Sequence, residues 1–156
     1  MNHPKVNWLK IREPLRGACV INTVDGPMEI YMHEPDENET KHILKTYPLP
    51  PKPMRTYKVP VDRDGKQTLD TITEPDMSPE AIKRWEESSD HTLELQAMAY
   101  AEAAIDETHK PEGDTVEARI EVLMTMPRAV RIRLINFAQS LGEKRLAERF
   151  EEAKKS

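Results

Sequence analysis

The chain has 156 residues, which suits one ordinary domain or a small domain with an extended appendage. A hydrophobic content of 37% against 33% charged allows a modest core and excludes a thick one. The net charge of −5 is uneven: residues 61–110 hold 13 acids and 5 bases, whereas residues 111–156 hold 8 acids and 9 bases, so the acidic middle argues against a nucleic-acid-binding surface there.

In chain order, Val6–Ile11 (VNWLKI) has the β-branched and aromatic character of a short strand. Cys19–Val24 then faces Met28–Met32 across Asp25-Gly26, and Asp-Gly between two apolar runs predicts a β-hairpin. Pro27, lacking a backbone donor, belongs at an edge or bulge. Asp36 followed by Glu39 is a capping-box start for a helix through Thr46, with Ile43, Leu44 and Tyr47 on its apolar side. Pro48 ends it, because the residue before a proline is pushed out of the α region.

Thirteen prolines against five glycines set the chain apart, and Pro48, Pro50, Pro51 and Pro53 fall together as PLPPKP. Such a run reads as an extended polyproline II spacer; its PxxP register is a weaker signal for a recognition-module ligand. Thr56–Val61 and Thr68–Ile72 flank Asp62–Gly65 and predict a small exposed hairpin or extended arm.

Ser78-Pro79-Glu80 is the clearest helix start: serine caps, proline fits the first helical position, and glutamate complements the positive dipole end. The helix is expected to run to about Glu107, with Ile82, Trp85, Leu93, Gln96, Ala97, Tyr100, Ala104 and Ile105 on its packing face. Its alanine-rich second half is slim enough for another helix to approach closely. After the break at Pro111-Glu112-Gly113, Asp114 and Glu117 predict a capped helix over Val116–Met124. Pro127 starts a further helix with a Val130, Leu134, Phe137, Leu141 stripe; Gly142 predicts a bend or cap before a last helix carrying Leu146 and Phe150. The fold class is thus α+β, mainly α: a small hairpin region at 1–47, a Pro-rich extended arm at 48–77, and a helical half at 78–156 with one long helix.

No chemistry-bearing pattern stands out. Asp62, Asp64, Gly65 and Asp70 depart from the calcium-loop order, since glycine directly follows the second acid. His3, His33, His42, His91 and His109 have no zinc-ligand spacing, although His91 sits between Glu87 and Glu94 on one helix face. The only cysteine, Cys19, excludes an internal disulfide and reads as a small buried side chain. Phosphate-cradling glycine loops and nucleophile elbows are missing, so no catalytic, cofactor or metal residue is assigned and an enzyme is not expected. The amino end has no signal-peptide pattern, and no stretch reaches the ~20 apolar residues of a membrane span, so a cytoplasmic protein without a membrane partner is expected.

The order of elements resembles the tail assembly chaperones of long-tailed bacteriophages. The resemblance spans roughly residues 18–105: the hairpin CVINTVDGPMEIYM, the short helix DENETKHILKTY, the crossing PLPPKP, the arm MRTYKV and DGKQT, and the helix start EPDMSPEAIKRW. The family often shows such a crossing, then a "PD…PE" start with an aromatic about five residues in; here these are Pro75, Asp76, Pro79, Glu80 and Trp85. The resemblance implies a non-enzymatic protein of the host cytoplasm that coats the tape measure protein during tail assembly and self-associates. Many members also have a frameshifted longer form, and Ala153-Lys154-Lys155 can be encoded across an A-rich slippery heptamer. Residues expected to meet a partner are Trp85, Ala97, Tyr100, Phe137 and Phe150, of which only Trp85 comes from the family pattern. The alternatives are a structural virion protein of the connector or baseplate, or a regulatory adaptor binding nucleic acid or polymerase.

Overall fold

The computed structural model describes residues 5–155, with side chains as far as Lys144; His3 and the side chains of Leu146 and Phe150 lie outside the described residues. It is an α+β fold, 50% helical and 26% strand, with five α-helices and two separate two-stranded antiparallel sheets. The chain divides into two compact units. One comprises the residues up to Tyr47 together with those from Leu95 onward; the other is Pro48–Glu94.

In the first unit, the expected strand at Val6–Ile11 is instead helical: α1 is Trp8–Arg12. Asn7 decides this locally, because its Oδ1 accepts from Lys10 N at 3.3 Å and so caps the turn. Among the described residues, each strand pairs within its own two-stranded hairpin. The first hairpin forms, from β1 (Arg16–Thr23) and β2 (Gly26–His33). Its loop falls one residue earlier than the Asp25-Gly26 position. Thr23 pairs with Gly26, and Gly26 takes the positive φ of 107° as the first residue of β2. Thr23 Oγ1 holds the turn, donating to Gly26 O at 2.7 Å and accepting from Asp25 N at 3.2 Å. Pro27 pairs with Asn22 in a sheet where both strands are edges.

Helix α2 (Glu37–Thr46) starts as its capping chemistry predicts, with Asp36 Oδ1 accepting from Glu39 N at 2.7 Å. Ile43 is its buried residue, but Leu44 faces solvent, so the apolar side is narrower than the sequence suggested. At its carboxyl end, Tyr47 O accepts from Gln96 Nε2 at 2.6 Å.

In the second unit, Pro48–Pro53 has no regular hydrogen-bonded structure. The arm is a full hairpin of β3 (Met54–Arg63) and β4 (Lys66–Pro75). Asp64 and Gly65, at φ 52° and 76°, form its two-residue turn, the backbone pattern for which Asp-Gly is favoured. Ser78 caps α3 (Pro79–Ala104) through Oγ, which accepts from Ala81 N at 3.4 Å. Asp76 accepts from Ser78 N at 3.0 Å, and this hydrogen bond holds the Asp76 carboxyl below its usual range.

Helix α3 stops at Ala104, short of Glu107, because the backbone leaves it to meet β2. Ile105 bridges Met32, and Asp106 N donates to Tyr31 O at 2.9 Å. Its packing differs from a single face: from Leu95 to Ile105 no residue is exposed, while Leu93 is. The alanines make this segment slim enough to be enclosed on most sides. Helix α4 (Val116–Met124) is capped by Thr115 rather than Asp114; Thr115 Oγ1 accepts from Ala118 N at 3.1 Å.

Helix α5 (Arg128–Lys155) runs without interruption through Gly142, so the expected bend is absent. Gly142 does not adopt positive φ, and nothing breaks the helix there. The predicted stripe holds, with Leu134 and Leu141 buried and Val130 and Phe137 packed against them. Every fully buried apolar side chain among the described residues, including Cys19, Met32, Met98, Ile105 and Leu134, belongs to the first unit. The second unit has no buried core of its own.

Candidate partner-binding surfaces

Of the residues expected to meet a partner, Trp85, Ala97, Tyr100 and Phe137 are half-buried within the fold. The indole N–H of Trp85 donates to Pro50 O at 3.1 Å, so this half-buried ring holds the Pro-rich segment against α3. Ala97 and Tyr100 are half-buried in the enclosed part of α3. Burial, and then the Glu34 carboxylate, push the Tyr100 phenol above its ordinary range. The Phe137 ring lies over β1; a Cβ on Gly17 would come within 2.9 Å of its Cζ. Ala97, Tyr100 and Phe137 therefore belong to one unit and Trp85 to the other, and Phe150 lies outside the described side chains.

Polar chemistry gathers where α3 ends. Glu102 is 3% exposed, and its Oε1 accepts from Lys110 Nζ at 2.9 Å and from Arg119 Nε at 2.8 Å. Lys110 Nζ also donates to Glu102 O at 2.6 Å, and Arg119 Nη1 to Gly113 O at 3.0 Å. This cluster ties the turn after α3 to α4, with both cations satisfied. Nearby, His33 Nδ1 and Asp106 Oδ1 are 2.7 Å apart. His109 Nδ1 accepts from Tyr31 N at 2.9 Å, which puts the proton of the neutral ring on Nε2. A cavity of ≈ 230 Å³ is lined by Glu39, His42, Glu102, Lys110 and Arg119 among others. Burial, then the adjacent Asp36 carboxylate, raise the Glu39 carboxyl. Among the described residues, no group of three His, Cys, Asp or Glu side chains is placed to hold a metal ion. Cys19 is fully buried, and that burial raises its thiol pKa despite the opposing effect of Arg133. Its role is packing.

Two exposed surfaces are apolar. In α1, Trp8 is 70% exposed and Leu9 71%, with Val6 and Ile11 exposed beside them, and the helix buries none of its residues. A five-residue helix is far below the length that is stable alone in water. In the second unit, Met54, Tyr57, Leu69, Ile72 and Met77 are also exposed. Scattered single apolar residues are ordinary on a protein surface, but four of them within Val6–Ile11 are a patch. Sequence reasoning missed this patch, reading it as a strand. The signal available was the density of apolar residues, a tryptophan included, beside the basic Lys5, Lys10 and Arg12.

No helix among the described residues is long and apolar enough to cross a membrane. Comparison with family models, curated proteins and solved structures finds no match to this chain.

Proposed function

We propose that this chain is a non-enzymatic tail assembly chaperone of the host cytoplasm that binds the tape measure protein and keeps it soluble during tail morphogenesis. The observation that carries this reading is α1, a capped turn whose apolar side chains are all presented outward. Trp8 and Ile11 are three residues apart and so lie on one side of the turn. A long apolar helical partner would cover them, and each side chain fully buried in this way contributes roughly 1.5–3 kcal/mol. Indole suits the purpose, since tryptophan is enriched among the residues that dominate interface energies. The acidic stretch at 61–110, with its excess of 13 acids over 5 bases, keeps the loaded chaperone dispersed.

Co-expression with a phage tape measure protein from the same source tests the reading. The wild-type chain should raise the soluble fraction of the tape measure protein, and a Trp8→Glu, Leu9→Glu variant should not. The variant's thermal melt should match wild type, because Trp8 and Leu9 are mostly exposed in the fold. A tape measure protein equally soluble without the chain, or a variant as active as wild type, would refute it. Recovery of the chain from purified mature particles would instead assign a structural virion protein, and a salt-dependent shift of nucleic acid a regulatory adaptor.

A further inference from the structure

The segment Pro48–Pro53 of the second unit has no regular hydrogen-bonded structure, yet its backbone is narrowly constrained. Proline rings fix φ at positions 48, 50, 51 and 53, and Leu49, Pro50 and Lys52 are each held extended by the proline that follows. No cis peptide bond occurs among the described residues. These constraints specify a polyproline II helix, with three residues per turn and a rise of about 3.1 Å per residue.

Burial along the segment repeats with that period. Pro50 and Pro53 are half-buried, whereas Pro48 and Pro51, and likewise Leu49 and Lys52, are exposed. The inward pair is also fastened through its carbonyls. Trp85 Nε1 donates to Pro50 O at 3.1 Å, and Asp76 N donates to Pro53 O at 2.9 Å. One edge of the helix is therefore tied to its own unit and the other two face outward. Pro50 and Pro53 are thus a PxxP pair turned inward, and Pro48 and Pro51 are a PxxP pair left open, with Leu49 54% exposed between them.

We propose that this open ridge is the ligand of a protein module that reads polyproline II helices in an aromatic-lined groove flanked by acids, the chemistry of an SH3 domain. Pro48 and Pro51 stand one turn apart, about 9 Å, and fill successive slots between aromatic rings, with Leu49 packing beside them. A polyproline II backbone makes no hydrogen bonds of its own, so its outward carbonyls stay available to Trp and Tyr donors of the groove. Lys52 places a cation at the end of the ridge and selects acids at that end of the groove. The ordering cost of binding is small, because the prolines and the two carbonyl hydrogen bonds fix the ligand beforehand. Stiffness alone requires neither hydrogen bond; together they decide which pair of prolines points outward. The proposal does not depend on what α1 binds.

Titration of the full chain into a panel of isolated, isotope-labelled SH3 domains with acidic groove flanks tests it by NMR. Some of these domains should show saturable shifts confined to their groove residues. Against such a domain, Pro51→Ala should weaken binding about tenfold, the loss expected for one buried apolar side chain. Lys52→Glu should weaken it as well and abolish its salt dependence. Pro60→Ala removes an exposed proline of β3, outside the ridge, and should bind as wild type does. All three positions are exposed, so each variant should keep the wild-type circular dichroism. No shift in any domain of the panel, or a Pro51→Ala chain that binds as tightly as wild type, would overturn the proposal.

Discussion

Glu102 is the residue whose removal the first unit should tolerate least. Its carboxylate is the shared acceptor for two cations that are themselves largely enclosed, Lys110 and Arg119. Glu102→Ala strands both, and uncoupling a buried pair in this way costs about 3–5 kcal/mol. A urea or thermal melt should register that loss, and Glu102→Gln, which keeps an acceptor, should lose less. The exposed pair Arg63–Asp70 should matter far less on the same scale, about 0–1 kcal/mol. The cluster was not legible in the sequence, because its members come from α3, from the residue after the 3-10 turn Glu107–His109, and from α4. Only the three-dimensional path of the chain brings them together. One local trace existed: Glu102 is the single charged residue between Leu95 and Ile105, set among alanines.

Elements whose signals are local were readable in advance. Asp36 and Ser78 cap the helices they were expected to cap, and Asp64-Gly65 turns the second hairpin where expected, because each device acts within four residues. Failures came where two local preferences competed or a distant contact decided. Trp8 and Ile11 favour a strand by type, yet the Asn7 cap forms a helical turn. The helix through 104 ends early because β2, some seventy residues back in the chain, takes Ile105 as a bridge partner. Gly142 was expected to end a helix, but α5 passes through it in ordinary helical geometry. Glycine in a helix interior costs roughly 0.5–1 kcal/mol relative to alanine. A Cβ at position 142 would sit 3.7 Å from Tyr100 Oη, an ordinary contact. Gly142→Ala should therefore stabilise the protein by about 0.5–1 kcal/mol, seen as a higher urea midpoint with an unchanged slope. A lower midpoint would mean that α5 needs glycine at this position.

For the molecule as a whole, the fold class follows from the sequence and the location of exposed apolar surface does not. The sequence marks Trp85 as an interface anchor and puts Trp8 in a short strand. In the fold Trp85 secures the Pro-rich segment, whereas Trp8 stands out from α1. Which apolar side chain finds an internal partner depends on tertiary packing, and no spacing rule reports it. The exposed α1 patch is therefore the centre of the functional account. Amide hydrogen exchange over residues 6–12, in the free chain and after addition of the tape measure protein, tests it most directly. A one-turn helix without a fully buried residue should exchange rapidly when free and slow markedly once its side chains are covered. Unchanged rapid exchange there, in a preparation where the chain holds the tape measure protein in solution, would contradict the account.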